Sequence, residues 1–452
     1  MIGERKPSPR RLAVEILTRI DRGGAYAEPL LDNALTGKEL TNPPDRALLT
    51  ELVYGTLRKR GPLDWIIARL SRGNPDLLEA TVRNILRTAL YQIWFTDRIP
   101  PFAAVNEAVD IARTLVPAAS GLVNGLLRNA LRKKDAIPWP ERGVDPALAI
   151  AVLDSHPLWL VRRWLAQFGE AQTEAICRAN NAIAPVTLRV NTLKGTPAAT
   201  IAALGRDGIT AEPTRFSPEG LLLLSPAARL RETKAYGEGL FRLQDEASQL
   251  IGRLVAPRPG ERVLDLCAGA GGKTLHMAAL MNNSGTIVAV DRRGESLNRL
   301  REETRRLGAV IVETRTADAV ALPDPLRDSF DRVLLDAPCS GLGTLRRNPE
   351  IRWRLSPKDF RETMEVQKRL LRSAAAAVRP GGRLVYSVCT ISPEENELVV
   401  GDLLKSRPDF APVLPPADNL PPGSIDERGF LHTFPHRHGL DGFFAAVLTR
   451  KT

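Results

Sequence analysis

Two cysteines and an aspartate stand at the ends of predicted β-strands, near a glycine-rich turn. Asp336 and Cys339 follow the apolar run VLL, which predicts a buried strand. Cys389, 50 residues after Cys339, ends another predicted strand, and the turn DLCAGAGGKT at 265–274 precedes both. Ligands of α/β sheets bind at the carboxyl ends of strands. The arrangement therefore predicts a nucleophile that works beside a bound cofactor.

The glycine-rich turn joins a predicted strand to a predicted helix, which lets a ligand approach backbone N–H groups closely. Its residue pattern matches neither the P-loop motif nor the pyrophosphate-binding fingerprint, so a phosphate-cradling P-loop and a pyrophosphate-binding turn are both disfavoured. The next predicted strand ends at Asp291, 20 residues after Gly271. An acid there commonly accepts from the ribose hydroxyls of an adenosine cofactor. A third strand ends near Asp318, which could accept from an adenine amino group.

This order of features resembles a site for S-adenosyl-L-methionine, and a pyrophosphate cofactor is the weaker alternative. The residues assigned to the cofactor are Cys267, Ala268, Gly269, Ala270, Gly271, Gly272, Lys273, Asp291, Asp318 and Asp336. Simpler explanations stay open for three of them. Asp291 could be only a helix N-cap, Asp318 only a turn residue, and Lys273 an exposed lysine rather than a partner of the methionine carboxylate.

The four cysteines are widely separated and include no CxxC pair, so we expect neither a zinc site nor a disulfide. Cys177 lies on an apolar helical face and is predicted to be buried packing. Cys339 and Cys389 could likewise be buried structural cysteines, which is the ordinary interpretation for each taken alone. A reactive thiolate would need a cationic or dipolar setting, which Lys273 or a helix N-terminus could supply.

Charge and composition favour a polyanionic partner. The 452 residues carry a net charge of +11, and residues 1–134 hold 21 Lys/Arg against 14 Asp/Glu. The alternative is a basic surface that is merely solvated. No apolar run approaches the ~18 residues that a membrane-spanning helix needs. The N-terminus is polar and lacks an apolar signal core, so we expect a cytoplasmic protein without membrane or metal partners.

Periodicity divides the chain into three predicted domains. Residues 1–138 read as helices, the first capped by Ser8 and another ended by Gly61-Pro62. Residues 145–240 read as a small α/β module, with helices over 158–168 and 170–180. From 241 to 452 strands and helices alternate, which predicts a mostly parallel sheet covered on both faces.

At this point the motifs resemble a family, the RNA cytosine-5 methyltransferases. The matching blocks are 336–341 with 346–353, 386–396, 244–248 and 438–444. The turn at 265–274 is similar to the family's cofactor motif, although Ala270 stands where proline is common. The helical N-terminal region is similar to the NusB RNA-binding fold, and the resemblance covers the whole chain.

The resemblance implies a Rossmann-like, S-adenosylmethionine-dependent catalytic domain behind two RNA-binding domains. It implies that Cys389 attacks C6 of a cytosine, that Asp336 holds the base, and that Cys339 assists release of the product. The implied substrate is 16S ribosomal RNA of the small subunit, either free or in an assembly intermediate, and we expect a monomer. Three alternatives stay open: a tRNA-directed member of the family, a non-catalytic RNA-binding protein, and a nicotinamide-dependent oxidoreductase.

Overall fold

The computed structural model describes residues 8–37, 40, 42–71, 73–225, 230–322, 326–415 and 419–452. The chain divides into two compact units. The first unit runs to Ala182 and also contains Leu345–Arg354. The second unit comprises Ile183–Thr344 and Leu355–Thr452.

All regular secondary structure among the described residues of the first unit is helical, as predicted for its N-terminal part. Ser8 caps the first helix by accepting from the N–H of Arg11. The buried aliphatic faces form one core, which includes Leu17, Leu49 and Leu90. The helices are Pro9–Gly23, Ala27–Thr36, Pro43–Arg58, Arg60–Ser71, Ala80–Phe95, Pro101–Leu115, Ser120–Arg132, Pro146–Leu153, Leu158–Asn181 and Ile351–Arg354. Short 3₁₀ turns lie at Pro75–Leu77, Pro117–Ala119 and Lys134–Ala136.

Two predicted helix boundaries, at Gly61-Pro62 and within 158–180, can be compared with the structure. Gly61-Pro62 does not end a helix, because the preceding helix stops at Arg58 and the dipeptide lies in the first turn of Arg60–Ser71. Proline is tolerated there since the first N–H groups of a helix need no intrahelical partner. The expected division of 158–180 into two helices is confirmed, because Gly169 adopts φ +74° and kinks Leu158–Asn181.

A small antiparallel sheet opens the second unit. Its strands are β1 (Thr187–Val190), β2 (Ala211–Pro213), β3 (Gly220–Leu223) and β4 (Phe241–Leu243), in the order β2-β3-β1-β4. The helices Pro197–Arg206 and Lys234–Gly237 and the 3₁₀ turn Leu230–Glu232 complete this module. Leu188, Leu204 and Phe241 are among the residues of its apolar core.

The larger sheet has the order β10-β12-β9-β8-β5-β6-β7, with β11 paired to β12. β5 to β9 are parallel, and β12 runs antiparallel to β9. The strands are β5 (Arg262–Leu266), β6 (Thr286–Asp291), β7 (Val312–Thr316), β8 (Phe330–Asp336), β9 (Val378–Val388), β10 (Phe410–Pro412), β11 (Leu431–His432) and β12 (Phe444–Arg450). The strand order reverses between β5 and β8, which is where such sheets bind ligands.

Helices cover both faces of this sheet, and an apolar cluster lies on each face. They are Glu246–Val255, Gly272–Leu280, Gly294–Leu307, Pro357–Ala377, Glu397–Ser406 and Pro435–His438, with a 3₁₀ turn at Leu342–Thr344. The predicted fold class is confirmed. Within the described ranges, no helix combines the length and the apolar character that crossing a bilayer requires.

Candidate active site

The glycine-rich turn follows β5 in an unusual backbone conformation. Cys267, Gly269 and Gly271 all have positive φ, at +63°, +57° and +78°. A Cβ on Gly271 would lie 2.1 Å from Cδ1 of Leu300, so only glycine fits where the turn meets helix Gly294–Leu307. Burial, and then Asp291 nearby, raises the pKa of Cys267 to about 12, so that thiol stays protonated at neutral pH.

Asp291, at the end of β6, holds this turn. Its carboxylate accepts from the N–H of Gly269 at 2.9 Å and from the N–H of Arg293 at 2.8 Å. The N-cap of the following helix is Arg293, so Asp291 is not simply an N-cap. Asp318 is exposed and accepts from the N–H of Val320 at 2.9 Å, which is the geometry of an ordinary turn residue.

Asp336 ends β8 and forms a partly buried ion pair with Lys273. The ammonium of Lys273 lies 2.6 Å from its Oδ2, and the hydroxyl of Ser387 donates to its Oδ1 at 2.7 Å. Burial alone would lower the pKa of Lys273, but Asp336 outweighs burial and raises that pKa above its ordinary value. Lys273 is therefore a charged and largely buried group rather than an exposed lysine.

The two cysteines come together because β8 and β9 are parallel neighbours, with Asp336 in register with Ser387. The Sγ atoms of Cys339 and Cys389 lie 3.2 Å apart, and both thiols are free. The hydrogen bond with Cys389, together with burial, raises the pKa of Cys339 well above its usual range. Cys339 is therefore a thiol that can donate to the sulfur of Cys389.

A buried glutamate, Glu395, ties the two cysteine turns to each other. It accepts from the N–H of Ser340 at 2.7 Å and from the hydroxyl of Thr390 at 3.1 Å. Gln367 donates to the same carboxylate at 3.2 Å and to the carbonyl of Pro338 at 2.9 Å. Burial raises the pKa of Glu395. The sequence places Glu395 only within the block at 386–396 and gives it no role of its own.

A cavity of about 130 Å³ lies between the turn and Asp336. Five residues predicted from the sequence line it: Cys267, Ala268, Gly272, Lys273 and Asp336. Five more that were not predicted also line it: Asp265, Arg242, Leu243, Gln244 and Ser248. Gly269, Ala270, Gly271, Asp291 and Asp318 are not among the lining residues. The described residues contain no cluster of three or more His, Cys, Asp or Glu side chains that could hold a metal ion.

Asp265 is the most perturbed group in the cavity wall. It is 1% exposed, and burial raises its pKa to about 7. The hydroxyl of Thr274 donates to its Oδ2 at 2.6 Å, whereas its Oδ1 has no hydrogen-bond partner among the described residues. A buried oxygen without a partner at a cavity wall suits a ligand that brings a hydrogen-bond donor, such as an amino group.

The fold and the site define a class: an α/β methyltransferase-type domain with paired thiols after β8 and β9, beside the point where the strand order reverses. Comparisons with known proteins agree with it. The family described as 16S rRNA methyltransferase RsmB/F matches residues 253–449, and the NusB family matches residues 7–132. A ferredoxin-like domain of RsmF/B-like methyltransferases matches residues 156–229.

Individual relatives match along the whole chain. A probable ribosomal RNA small subunit methyltransferase B of Bacillus subtilis is 35% identical, over 99% of this chain and 100% of its own length. The same enzyme of Erwinia tasmaniensis is 35% identical over 98% of both chains. Among solved structures, PH0851 has a TM-score of 0.83 at 30% identity, over 97% of this chain and 98% of its own.

The chain belongs to the 16S rRNA methyltransferase RsmB/F family, and it is accordingly an rRNA methyltransferase. The prediction of an RNA cytosine-5 methyltransferase with a NusB-like N-terminal domain is confirmed. Specificity for C5 of cytosine and a cysteine adduct both fit this family.

Proposed function

We propose that the protein methylates C5 of one cytosine in 16S ribosomal RNA, with S-adenosylmethionine as the methyl donor. It would act in the cytoplasm as a monomer, on free RNA or on a small-subunit assembly intermediate. The observation that carries the proposal is the 3.2 Å approach of the Cys339 and Cys389 sulfurs, next to the Lys273–Asp336 ion pair.

The cofactor would bind along the glycine-rich turn. The positive φ of Gly269 and Gly271 in the turn and the unpaired oxygen of Asp265 suit a ligand with an amino-acid end. Cys267 to Lys273, with Asp336, are assigned to this part, and Asp291 and Asp318 to the ribose and adenine. When bound, S-adenosylmethionine supplies an electrophilic methyl carbon on a sulfonium.

Cys389 is assigned the nucleophile. Its thiolate forms a bond to C6, the ring electrons shift towards N3, and N3 takes up a proton, which leaves an enamine that is nucleophilic at C5. Asp336 holds the base at N3 and the amino group. The charged ammonium of Lys273, 2.6 Å from Asp336, provides a proton source beside N3.

Product release reverses the addition. After methylation, the C5 proton passes to solvent, the electrons of the C5–H bond re-form the C5–C6 double bond, and the bond from C6 to Cys389 breaks with its electron pair leaving on the sulfur. Cys339 assists by donating its S–H to the departing sulfur, which its position and its raised pKa permit. The proton on N3 then returns to the Asp336–Lys273 pair.

The target base must leave its stack before a thiolate can reach C6, so a loop or an opened segment of RNA is favoured. The positive charge of the chain suits a phosphate backbone, and binding should weaken steeply as salt concentration rises.

Replacing each thiol separately tests the assigned roles. Cys389→Ala should abolish both turnover and the covalent RNA adduct, because the nucleophile is gone. Cys339→Ala should let an RNA-linked protein accumulate, visible as a slower band on a denaturing gel. Cys177→Ala is the control, since this thiol lies in the first unit. Normal turnover by Cys389→Ala would contradict the assignment.

Bisulfite mapping of 5-methylcytosine in ribosomal RNA tests the substrate. Cells that lack the protein should lose one methylated cytosine in 16S RNA, and a plasmid copy should restore it. Loss of a tRNA methylation instead would contradict the ribosomal substrate.

A further inference from the structure

Two arginines of the small ferredoxin-like module reach the glycine-rich turn. Arg189 on β1 lies directly opposite Arg242 on β4 in the antiparallel pairing of these strands. Arg189 donates to the carbonyl of Gly272 at 2.5 Å, and Arg242 donates to the carbonyl of Ala270 at 2.9 Å. The two guanidinium groups thus hold the carbonyls on either side of Gly271.

Arg189 is buried and Arg242 is largely buried, which is costly for charged groups. Arg189 is 2% exposed, and its Nε has no hydrogen-bond partner among the described residues. Burial lowers the pKa of Arg189 to about 9, and burial also lowers the pKa of Arg242. The two charges are therefore kept next to the cavity at the cost of desolvation.

Their other contacts extend along the cavity. Arg189 also hydrogen-bonds the side-chain oxygen of Gln244, which lines the cavity, and Arg242 lines it directly. Arg242 donates to Glu303 at 3.0 Å, on the helix Gly294–Leu307 that contacts Gly271 through Leu300. The turn therefore lies between this helix and the module.

The same helix is fastened to the module at its C-terminal end. Arg306 donates to the carbonyls of Tyr236 at 2.8 Å and Phe241 at 3.1 Å. Asn191 donates to the carbonyl of Leu307 at 2.8 Å. The module thus braces both the turn and the helix behind it.

We propose that the ferredoxin-like module is part of the cofactor site, with Arg189 and Arg242 as positioning residues for the turn. By fixing the carbonyls of Gly272 and Ala270, they hold the backbone in the shape that receives the amino-acid end of S-adenosylmethionine. Their positive charge also favours the carboxylate of that end. This inference rests on the proposed use of S-adenosylmethionine.

The test measures S-adenosylmethionine affinity by calorimetry without RNA, alongside RNA affinity by filter binding and the melting temperature. Arg189→Met and Arg242→Met should each weaken S-adenosylmethionine binding by about tenfold, because a charge-assisted hydrogen bond to the turn is lost. RNA affinity should stay at the wild-type value. KM for S-adenosylmethionine should rise while kcat at saturation is largely kept.

Two further sets of variants complete the experiment. Arg189→Lys and Arg242→Lys keep one charged donor, so they should recover part of the affinity and remain testable if a Met variant does not fold. Arg215→Met is the matched control, because Arg215 is an exposed arginine of the same module that stacks on Phe216. It should bind S-adenosylmethionine as the wild type does.

Wild-type S-adenosylmethionine affinity in the Met variants, with RNA affinity reduced, would overturn the inference and leave the module a role in RNA binding alone. A parallel fall of both affinities and of the melting temperature, without recovery in the Lys variants, would also overturn it in favour of a structural role. Failure of the wild-type protein itself to bind S-adenosylmethionine would instead refute the proposed cofactor.

Discussion

At the scale of single residues, the surroundings of Cys339 and Cys389 differ although their sulfurs lie 3.2 Å apart. Cys339 packs against one face of the large sheet and Cys389 against the other. The hydrogen bond from one sulfur to the other and burial keep Cys339 protonated. Sequence spacing places both cysteines at strand ends but cannot distinguish them, because the difference arises from contacts across the sheet.

Asp265 makes a pH-dependent contribution to stability with a defined sign. Its pKa is raised from 3.8 to about 7, because burial disfavours the charged form. The stability it contributes is complete below about pH 4 and is lost as the pH rises through about 7, amounting to roughly 4 kcal/mol at most. Asp265→Asn should remove this loss, so the variant should gain stability relative to wild type between about pH 5 and pH 8. Urea unfolding followed by circular dichroism measures the difference.

Asp409 offers a control of opposite sign. The hydrogen bond from Arg407 lowers the pKa of Asp409 to about 2, so its contribution is lost only when the pH falls well below 5. Asp409→Asn should therefore show no relative change over the interval in which Asp265→Asn gains. If the free energy of unfolding of Asp265→Asn equals that of the wild type at every pH, the claim that burial raises the pKa of Asp265 is wrong.

At the scale of elements, the approach of two glycines fixes the Cys339 turn. Gly343 donates to the carbonyl of Cys389 at 3.0 Å and accepts from the N–H of Gly442 at 2.8 Å. A Cβ on Gly343 would lie 1.7 Å from the carbonyl oxygen of Gly442, which is backbone and cannot move aside as a flexible side chain would. The contact joins the turns of both cysteines to the segment before β12.

Gly343→Ala should accordingly destabilise the second unit by about 1–3 kcal/mol, the usual range for overpacking. It should also slow adduct formation, because the cysteine turns would shift. Gly401→Ala is the matched control: a Cβ there meets nothing within 4 Å, and alanine favours the helix interior. Circular dichroism and the rate of adduct formation are the measurements, and equal behaviour of the two variants would refute the claim.

Elements of this fold are predictable from sequence where local signals are strong. The alternation after 241 predicts β5, β6 and β8, and the Ser8 cap marks the first helix. The short strands β2, β4, β10 and β11 are missed, because three residues or fewer carry no periodicity. Helix Glu246–Val255 is missed too, since its segment was interpreted as a family block.

The sequence predicts those residues of the candidate site that lie at the ends of strands. Cys339, Cys389 and Asp336 meet because parallel strands bring their carboxyl ends to one edge. Arg189, Arg242 and Glu395 could not be found in this way. Their roles depend on tertiary contacts with the turns, and nothing in their local sequence indicates those contacts.

At the scale of the whole molecule, the block at 346–353 belongs by resemblance to the catalytic motifs, yet Leu345–Arg354 is part of the first unit. Glu350 accepts from the N–H of Ala27 at 2.8 Å, and Arg354 donates to the carbonyl of Gly24 at 2.7 Å. Arg346, the first residue of this block, is only 5% exposed. This segment therefore contributes to the structure of the helical unit.

Arg352 is the centre of that contribution. It is fully buried and donates to the carbonyls of Ser155 at 3.0 Å and Asn180 at 3.1 Å, and to the side chain of Asn181 at 2.7 Å. Burial lowers its pKa to about 9, and no carboxylate hydrogen-bonds it among the contacts described. The guanidinium group instead satisfies backbone carbonyls that would otherwise be buried without a donor.

Arg352→Met should therefore leave those carbonyls unpaired and destabilise the first unit by about 2–4 kcal/mol. All six tryptophans of the sequence lie in this unit, so tryptophan fluorescence during urea unfolding reports on it selectively. Arg19→Met, at an exposed position of the first helix, should leave the fluorescence midpoint unchanged. Loss of three buried donor contacts has a cost in stability if the segment is part of the helical unit. Unfolding of both variants at the wild-type urea concentration would therefore show that the segment does not stabilise this unit.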